Sequence, residues 1–257
     1  MIGALKGIEK LLEKGSAREA RDEYLPLLAR PLADGFAEER ARAGLRLVVA
    51  LRKRGFLPEA REIYEGLGAL GDSEEVAATR ARAAFNLLES YRKADLLPEA
   101  EEILRGMSKI PSSAEVLLLR GLAAVNVVSA LAQSGDLAGA EKIFYSMKSL
   151  GDTEEINTVR ASAAQGLLEG YAREKDFARG LKIFNSLAEI EEVEDVAIVH
   201  AKSCALMASL CVEANELEEA KRVFRVVSGI VENYPDLWAD RDEVFSLVYA
   251  ATGLTDF

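Results

Sequence analysis

The chain repeats itself every 40 residues, and this period constrains the fold more than any other feature of the sequence. Written in blocks of 40, residues 41–80, 81–120 and 121–160 align without a gap, and so do the blocks on either side. A fixed period of this length is typical of proteins built by stacking one supersecondary unit on the next. The chain length alone therefore does not predict how many domains there are.

Two series of residues predict two amphipathic helices in each unit. A small residue recurs at one position, and large apolar residues follow it four and seven places later, which is the spacing of one buried helix stripe. The small residues are Ala20, Ala60, Ala100, Ala140, Gly180 and Ala220. A second apolar series, for the other helix, is Leu47, Leu87, Val127, Leu167, Met207 and Leu247. A small side chain at a fixed position allows two helix backbones to approach closely.

Turn and capping residues mark where these helices begin and end. Residues 71–73 (Gly-Asp-Ser) and 151–153 (Gly-Asp-Thr) combine a helix-ending glycine with residues that cap the next helix. Pro58 and Pro98 fall near the first position of a helix, where a missing N–H costs nothing. Each unit is predicted to have a first helix of about 20 residues and a second of about 13. The longest first helices are predicted at 73–94, 113–134, 152–174 and 193–214.

The predicted fold class is all-α, a right-handed α–α superhelix (an α-solenoid) of six helix–turn–helix repeats plus a C-terminal capping helix. The whole chain, 1–257, is predicted to form one such domain, with Trp238 packed at its last junction. The repeats are placed at 1–40, 41–80, 81–120, 121–160, 161–200 and 201–240, and the capping helix at 241–257.

The charge balance argues against two kinds of partner. The formal net charge is −11, with 43 acidic against 32 basic residues. Proteins that bind nucleic acid usually show a basic footprint, because neutralising phosphates supplies much of their affinity. An anionic membrane surface is disfavoured for the same reason. With no run of 18 apolar residues, no membrane-spanning helix and no membrane partner are predicted.

The cysteines predict a reducing compartment. Cys204 and Cys211 are seven residues apart, so on a helix their Cα atoms lie about 10 Å apart. A disulfide needs less than about 7 Å. Both therefore read as small core residues, and the chain is predicted to be cytoplasmic.

The repeat resembles the tetratricopeptide-like superfamily. Residues 86–91 (Asn-Leu-Leu-Glu-Ser-Tyr), then Pro98, Ala100 and Leu104, follow that family's order of leucine, tyrosine, alanine and large apolar residue. The resemblance covers nearly the whole chain and implies a helical scaffold that binds partners. This repeat is longer than the family's usual length of about 34 residues, and the extra residues are expected to extend each first helix at its N-terminus.

A weaker resemblance is to pentatricopeptide repeats. Residues 140–147 and 166–187 are similar to that family, which binds single-stranded RNA one base per repeat through side chains on the first helix. The longer period and the acidic charge of this chain depart from the family's pattern. Single-stranded RNA binding is therefore the alternative function, and nucleic acid is not the expected partner.

No catalytic machinery is apparent, and the chain is not expected to be an enzyme. It has one histidine, His200, no cluster with metal-ligand spacing and no glycine-rich phosphate loop. His200 occupies a position that holds arginine in other blocks, so a surface or inter-repeat role is predicted. Neither a metal nor a cofactor is predicted.

That arginine position forms a column with two interpretations. Its members are Arg40, Arg80, Arg120 and Arg160. They are predicted either to make inter-repeat ion pairs with neighbouring glutamates, or to form an arginine ladder that holds an acidic peptide tail through bidentate contacts.

The resemblance implies that partners bind on a concave face formed by the first helices. The polar residues it places there are Arg42, Arg46, Arg82, Asn86, Arg92 and Asn126, a locally basic patch with amides on blocks two to four. They match only part of the carboxylate clamp known in the family, since Leu5 and Glu9 occupy its lysine and asparagine sites. The predicted function is a non-catalytic scaffold that binds a peptide or protein segment on this face. The alternatives are that these are only solvated charges, and that the chain self-associates as a homodimer.

Overall fold

The fold is entirely helical in the part of the chain that the structure describes. A computed structural model describes residues 1–30 and 35–253, which form thirteen α-helices and no strand. Their bounds are α1 Ile2–Glu13, α2 Ala17–Leu28, α3 Ala37–Arg52, α4 Leu57–Gly66, α5 Glu74–Lys93, α6 Leu97–Met107, α7 Ala114–Ser134, α8 Leu137–Ser146, α9 Glu154–Glu174, α10 Phe177–Leu187, α11 Glu194–Glu213, α12 Leu217–Asn233 and α13 Trp238–Thr252. Neighbouring helices pack against each other, so the all-α solenoid fold is confirmed.

Long first helices alternate with shorter second helices, as the repeat predicts. The four longest, α5, α7, α9 and α11, have 20, 21, 21 and 20 residues, and their ends lie within two residues of the predicted ones. The hydroxyls of Ser73 and Thr153 accept hydrogen bonds from the N–H groups of Val76 and Ile156, which caps α5 and α9. Acidic residues fill the first turn of both helices, where they stabilise the positive end of the helix dipole.

The helix hairpins begin about seven residues before the 40-residue blocks used above. Residues 80 and 81 lie inside α5, and residues 160 and 161 lie inside α9. Each block therefore starts within a first helix and ends within the next one. The period is unchanged, and the hairpins are in phase with residues 74, 114, 154 and 194.

The contacts divide the chain into two compact units, residues 1–123 and 124–257. In the first unit, the first helices α1, α3 and α5 pack side by side, and α2, α4 and α6 pack against them. In the second unit, α9 packs on α11, α11 packs on α13, and α10 and α12 pack against these. The boundary between the units falls within α7.

The recurring small residue lies where helices approach most closely. The alanines of this position are all fully buried: Ala20, Ala60, Ala100, Ala140 and Ala220. A Cβ added to Gly180 would come within 2.6 Å of Leu210 Cδ2. The second apolar series is also fully buried from Leu47 to Met207, whereas Leu247 in α13 is half-buried.

Every hairpin turns on a residue with positive φ. The position holds glycine at Gly15, Gly55 and Gly135, with φ between 78° and 90°. The other three hairpins place Asp95, Lys175 and Asn215 there, with φ between 56° and 60°. The recurrence of one left-handed residue at one position shows that the same turn closes all six hairpins.

Two helices are long and apolar enough to meet a simple criterion for membrane spans, contrary to the expectation of none. They are α7 and α11, with mean hydropathy of 1.7 and 1.5. This is weak support for a membrane span, because the core helix of a soluble protein satisfies the same test. About half of each helix is buried inside the protein.

The two cysteines are buried, free and seven residues apart on α11, as predicted. Burial raises the pKa of both thiols, that of Cys211 to about 12. At neutral pH both are therefore protonated core side chains.

The terminal helix differs from the expectation for this end of the chain. α13 begins at Trp238, three residues before the predicted capping helix, and residues 254–257 lie outside the described residues. Trp238 is 53% exposed, and the Arg241 guanidinium carbon lies 4.7 Å from the centre of its ring. The tryptophan was expected to pack at this junction, but more than half of its surface is open to solvent.

Ion pairs between residues about 40 positions apart link consecutive second helices or the segments that directly follow them. They include Arg18–Glu59, Arg21–Glu62, Arg61–Glu102, Lys182–Glu141 and Lys148–Glu189. Glu141 is the least exposed acidic partner in the second unit, and its other carboxylate oxygen accepts a 2.9 Å hydrogen bond from the Tyr171 hydroxyl. The Lys182 hydrogen bond lowers the pKa of Glu141, and the Tyr171 hydroxyl lowers it further.

Replacing Glu141 by glutamine should therefore cost about 1 kcal/mol of unfolding free energy at pH 7. The pKa of Glu141 is lowered by folding, so its contribution is complete above the unfolded value of about 4.3 and is lost as the pH falls through the folded value. Denaturant unfolding of Glu141→Gln and the parent protein should thus converge at acid pH.

The matched control is Glu189→Gln. This removes a pair whose side chains are 54% and 63% exposed, and its effect should be close to zero. Equal losses in the two variants would contradict a special contribution from Glu141.

Candidate binding surface on the first helices

The arginine column lies largely inside the protein. Arg40 is fully buried and donates to the backbone oxygen of Arg30 at 2.9 Å. Arg160 is 8% exposed and pairs with Asp152 at 2.8 Å, and Arg80 pairs with Asp72 at 3.2 Å. These partners are aspartates eight residues earlier, just before the start of the same helix, whereas glutamates of neighbouring repeats were expected. With its members buried or half-buried, the column does not display the exposed arginine ladder that the second interpretation requires.

Arg120 and His200 occupy the same column without an ion pair in the described part of the chain. Arg120 is half-buried, and burial lowers its pKa. His200 is 6% exposed, its ring meets the Phe184 ring edge-on at 5.5 Å, and its Nε2 is buried with no hydrogen-bond partner among the described residues. Burial lowers the pKa of His200 to about 4. His200 lies on α11 and contacts Phe184 on α10 of the preceding hairpin, which agrees with the predicted inter-repeat role.

Three predicted face residues form a row of ion pairs between first helices of the first unit. Arg42 on α3 contacts Glu75 on α5 at 3.1 Å. Arg82 on α5 makes a bidentate contact with Glu115 on α7, with distances of 2.6 and 2.9 Å. Arg46 on α3 pairs with Glu9 on α1. The three guanidinium groups are thus neutralised locally, and the side chains remain 51%, 42% and 61% exposed.

The other three predicted face residues do not belong to this row of ion pairs. The Asn86 amide donates to the backbone oxygen of Arg82 at 2.8 Å, which leaves its side-chain oxygen available. Arg92 makes two 3.1 Å hydrogen bonds with Glu89 on the same helix. Asn126 is half-buried on the part of α7 that belongs to the second unit, so only five of the six residues share a unit.

Sequence reasoning missed the carboxylates that share this surface. A cleft of about 350 Å³ is lined by Glu38, Glu74, Glu75, Ala78, Ser113 and Glu115. A second, of about 360 Å³, is lined by Glu9, Leu12, Glu13, Arg46 and Ala50. The sequence signal for these carboxylates was the recurrence of glutamate at helix starts. Stabilisation of the helix dipole explains that recurrence equally well. The surface expected to be basic therefore has mixed charge.

No group of histidine, cysteine and carboxylate side chains suited to a metal ion occurs within residues 1–30 and 35–253. The two clefts on the first helices are open to solvent, and their lining combines members of the ion pairs described above with further carboxylates. This geometry suits contact with a macromolecular surface better than enclosure of a small substrate.

The all-α repeat fold is consistent with a helical-repeat protein of the tetratricopeptide-like or pentatricopeptide-like kind. Residues 125–152 match the family model of the PPR repeat. The match covers the second half of α7, all of α8 and the 3₁₀ turn at Met147–Leu150. No curated protein and no solved structure matches the chain. Pentatricopeptide repeats usually bind RNA, so the match weakens the charge-based argument against nucleic acid.

Proposed function

We propose that the chain is a non-catalytic scaffold that binds a segment of another protein on the first helices of residues 1–123. The row of ion pairs Arg42–Glu75, Arg82–Glu115 and Arg46–Glu9 supports this most directly, because it offers exposed donors and acceptors along consecutive helices. Helical repeats with such a surface function by presenting many separate contacts to one partner. We call this surface the first-helix face.

The partner's chemistry follows from the mixed charge of the first-helix face. Each guanidinium has five N–H donors, and those not used in the ion pairs remain available to a partner carboxylate. Glu74 lines the cleft beside them and suits a partner lysine or arginine, as does Glu38, which lies 3.5 Å from Arg42. Leu45, Val49 and Phe85 are half-buried between the charged positions and supply apolar contact area. A peptide that alternates charged and apolar side chains matches this surface better than a uniformly anionic polymer.

Reversing the charge of Arg42, Arg46 and Arg82 to glutamate should weaken capture of a protein partner by about tenfold or more in a pull-down. The new carboxylates would face Glu75, Glu9 and Glu115 and repel any acidic side chain of the partner. Each lost surface ion pair costs about 0–1 kcal/mol, so circular dichroism should show unchanged helicity.

The control variant is Arg18→Glu, Arg21→Glu, Lys148→Glu. It makes the same charge change and also breaks three exposed ion pairs, but on the second-helix side. Equal capture by the two variants would place the binding site elsewhere.

A second candidate function is binding of single-stranded RNA, which the PPR-repeat match supports. Asn126 and Ser129 lie on the first helix within that match and are half-buried. Filter binding of a single-stranded oligonucleotide at low salt separates the candidates, because even non-specific binding is visible there. If the protein retains the oligonucleotide on the filter and Asn126→Ala retains less, RNA binding is favoured. If the protein retains none, the protein partner is favoured.

We also propose a reducing, cytoplasmic location, which the free and buried Cys204 and Cys211 support. Light scattering of the purified chain tests for a homodimer, since the ends of repeat arrays often stack between copies.

A further inference from the structure

A cleft on the second-helix side of the first unit plays no part in the proposed function. It has a volume of about 460 Å³ and opens between α4 and α6, with Arg80 of α5 reaching it from beneath. Its lining consists of Arg61, Tyr64, Glu65, Arg80, Glu102, Ile103, Arg105, Gly106 and Lys109.

The lining has an excess of positive charge. Four of its side chains are cationic and two are carboxylates, so the lining alone has a net charge of +2. Arg61 binds both carboxylates, Glu65 and Glu102, at 2.7 Å each, and these two contacts raise the pKa of Arg61. Asp72, the partner of Arg80, is outside the lining and 69% exposed. Arg80 is thus paired outside the lining, and Arg105 lies near enough to Glu102 to contribute to the lowered pKa of that carboxylate.

Several polar groups of the cleft lack partners. Within residues 1–30 and 35–253, no carboxylate lies within 4.0 Å of the charged atoms of Arg105 or Lys109. The Arg80 side chain is 16% exposed, and its Nε is buried with no hydrogen-bond partner among the described residues. The Tyr64 hydroxyl also makes no hydrogen bond in the described part of the chain.

Gly106 keeps the cleft open beside the tyrosine. A Cβ at this position would lie 3.2 Å from the Tyr64 hydroxyl oxygen. A side chain there would crowd the hydroxyl and narrow the space between it and Arg105. The glycine thus leaves the hydroxyl facing open volume.

We propose that this cleft binds a phosphate monoester dianion. Such a group has a charge of about −1.5 to −2 and three acceptor oxygens, which match the net charge of the lining and its free donors. Arg80 and Arg105 offer planar guanidinium donors, Lys109 an ammonium group and Tyr64 a hydroxyl donor. A phosphate monoester has three acceptor oxygens where a carboxylate or a phosphodiester has two, so it can accept from Arg105, Lys109 and Tyr64 together.

Isothermal titration of the full chain tests this with inorganic phosphate, phosphoserine and serine. Phosphate and phosphoserine should bind saturably with Kd of about 1 mM or below, and serine should not bind. Tighter binding of a phosphoserine peptide than of inorganic phosphate would assign the group to a modified side chain, and equal binding would assign it to a free small anion.

Variants at exposed positions keep the test independent of folding. Arg105→Ala, Lys109→Ala should weaken binding by about tenfold or more, and Tyr64→Phe by about threefold or more. Lys53→Ala, Lys93→Ala removes two exposed lysines on first helices and should leave binding unchanged.

The proposal is overturned if neither phosphate nor phosphoserine binds at about 10 mM. It is also overturned if the Arg105, Lys109 variant binds as the parent does, or if only an oligonucleotide binds. The charge reversal at Arg42, Arg46 and Arg82 leaves this cleft intact, so loss of partner capture and loss of phosphate binding report on separate surfaces.

Discussion

Acidification from pH 7 to pH 4 should remove about 3 kcal/mol of unfolding free energy through His200 alone. Burial lowers the pKa of His200 from 6.5 to about 4, so the folded chain holds the ring neutral over this range. The unfolded chain binds a proton near pH 6.5, and proton uptake therefore favours unfolding as the pH falls. The buried Nε2 has no acceptor among the described residues, so a protonated ring would gain no compensating hydrogen bond.

This effect can be isolated because His200 is the only histidine in the chain. Four carboxylates have pKa values lowered below 4.5 and take up protons only at the acid end of the range: Glu59, Glu102, Glu141 and Glu218. Denaturant midpoints between pH 6.5 and 4.5 therefore report mainly on His200.

The control variant is His200→Leu, which removes the titrating group and keeps a large apolar side chain against Phe184. Its stability should change little over the same range. The imidazole resonances of the parent protein give the pKa directly, and a titration midpoint near 6.5 would contradict the expectation.

Gly44→Ala should destabilise the first unit by about 1–3 kcal/mol, although alanine is the better helix former. A Cβ at Gly44 would lie 2.5 Å from the Tyr24 hydroxyl oxygen and 2.6 Å from Leu67 Cδ2. Tyr24 is fully buried, and its hydroxyl donates to the backbone oxygen of Arg40 at 2.6 Å. The added methyl group must displace that ring or that leucine, because both already fill the site.

Substitution of alanine for Gly229 should have the opposite effect on stability. Gly229 lies within α12, and a Cβ there meets no atom of the described residues within 4 Å. Gly229→Ala should therefore stabilise the protein by about 0.5–1 kcal/mol. Thermal unfolding of Gly44→Ala and Gly229→Ala measures the two changes in stability. Equal changes in Tm would contradict a packing role for Gly44.

The period was sufficient to predict the fold. The ends of α5, α7, α9 and α11 lie within two residues of the predicted positions, because glycine, capping residues and helical spacing agree at each of them. The residue at which each hairpin begins was harder to predict, because a periodic pattern is the same wherever the count of residues starts. Only the turn residues, at Gly55 and its counterparts, show where one hairpin ends.

The charge of the candidate surface was predicted less well, because it depends on pairing between distant positions. Arg42 and Glu75 are 33 residues apart, as are Arg82 and Glu115, and only the packing of adjacent first helices brings them together. A count of arginines on one face predicts a basic patch, and the paired carboxylates give mixed charge. The burial of Arg40 was also not predicted, because arginine is rarely a core residue.

The uniform turn and the gap-free period have a consequence for how such a gene can change. Each hairpin meets its neighbours through the same positions, so in-frame gain or loss of one unit by recombination preserves every remaining interface. Exact deletion of one hairpin requires both break points to lie at the same place in the repeat, one full period apart. The number of hairpins can therefore vary between descendants of this sequence without any redesign of its core.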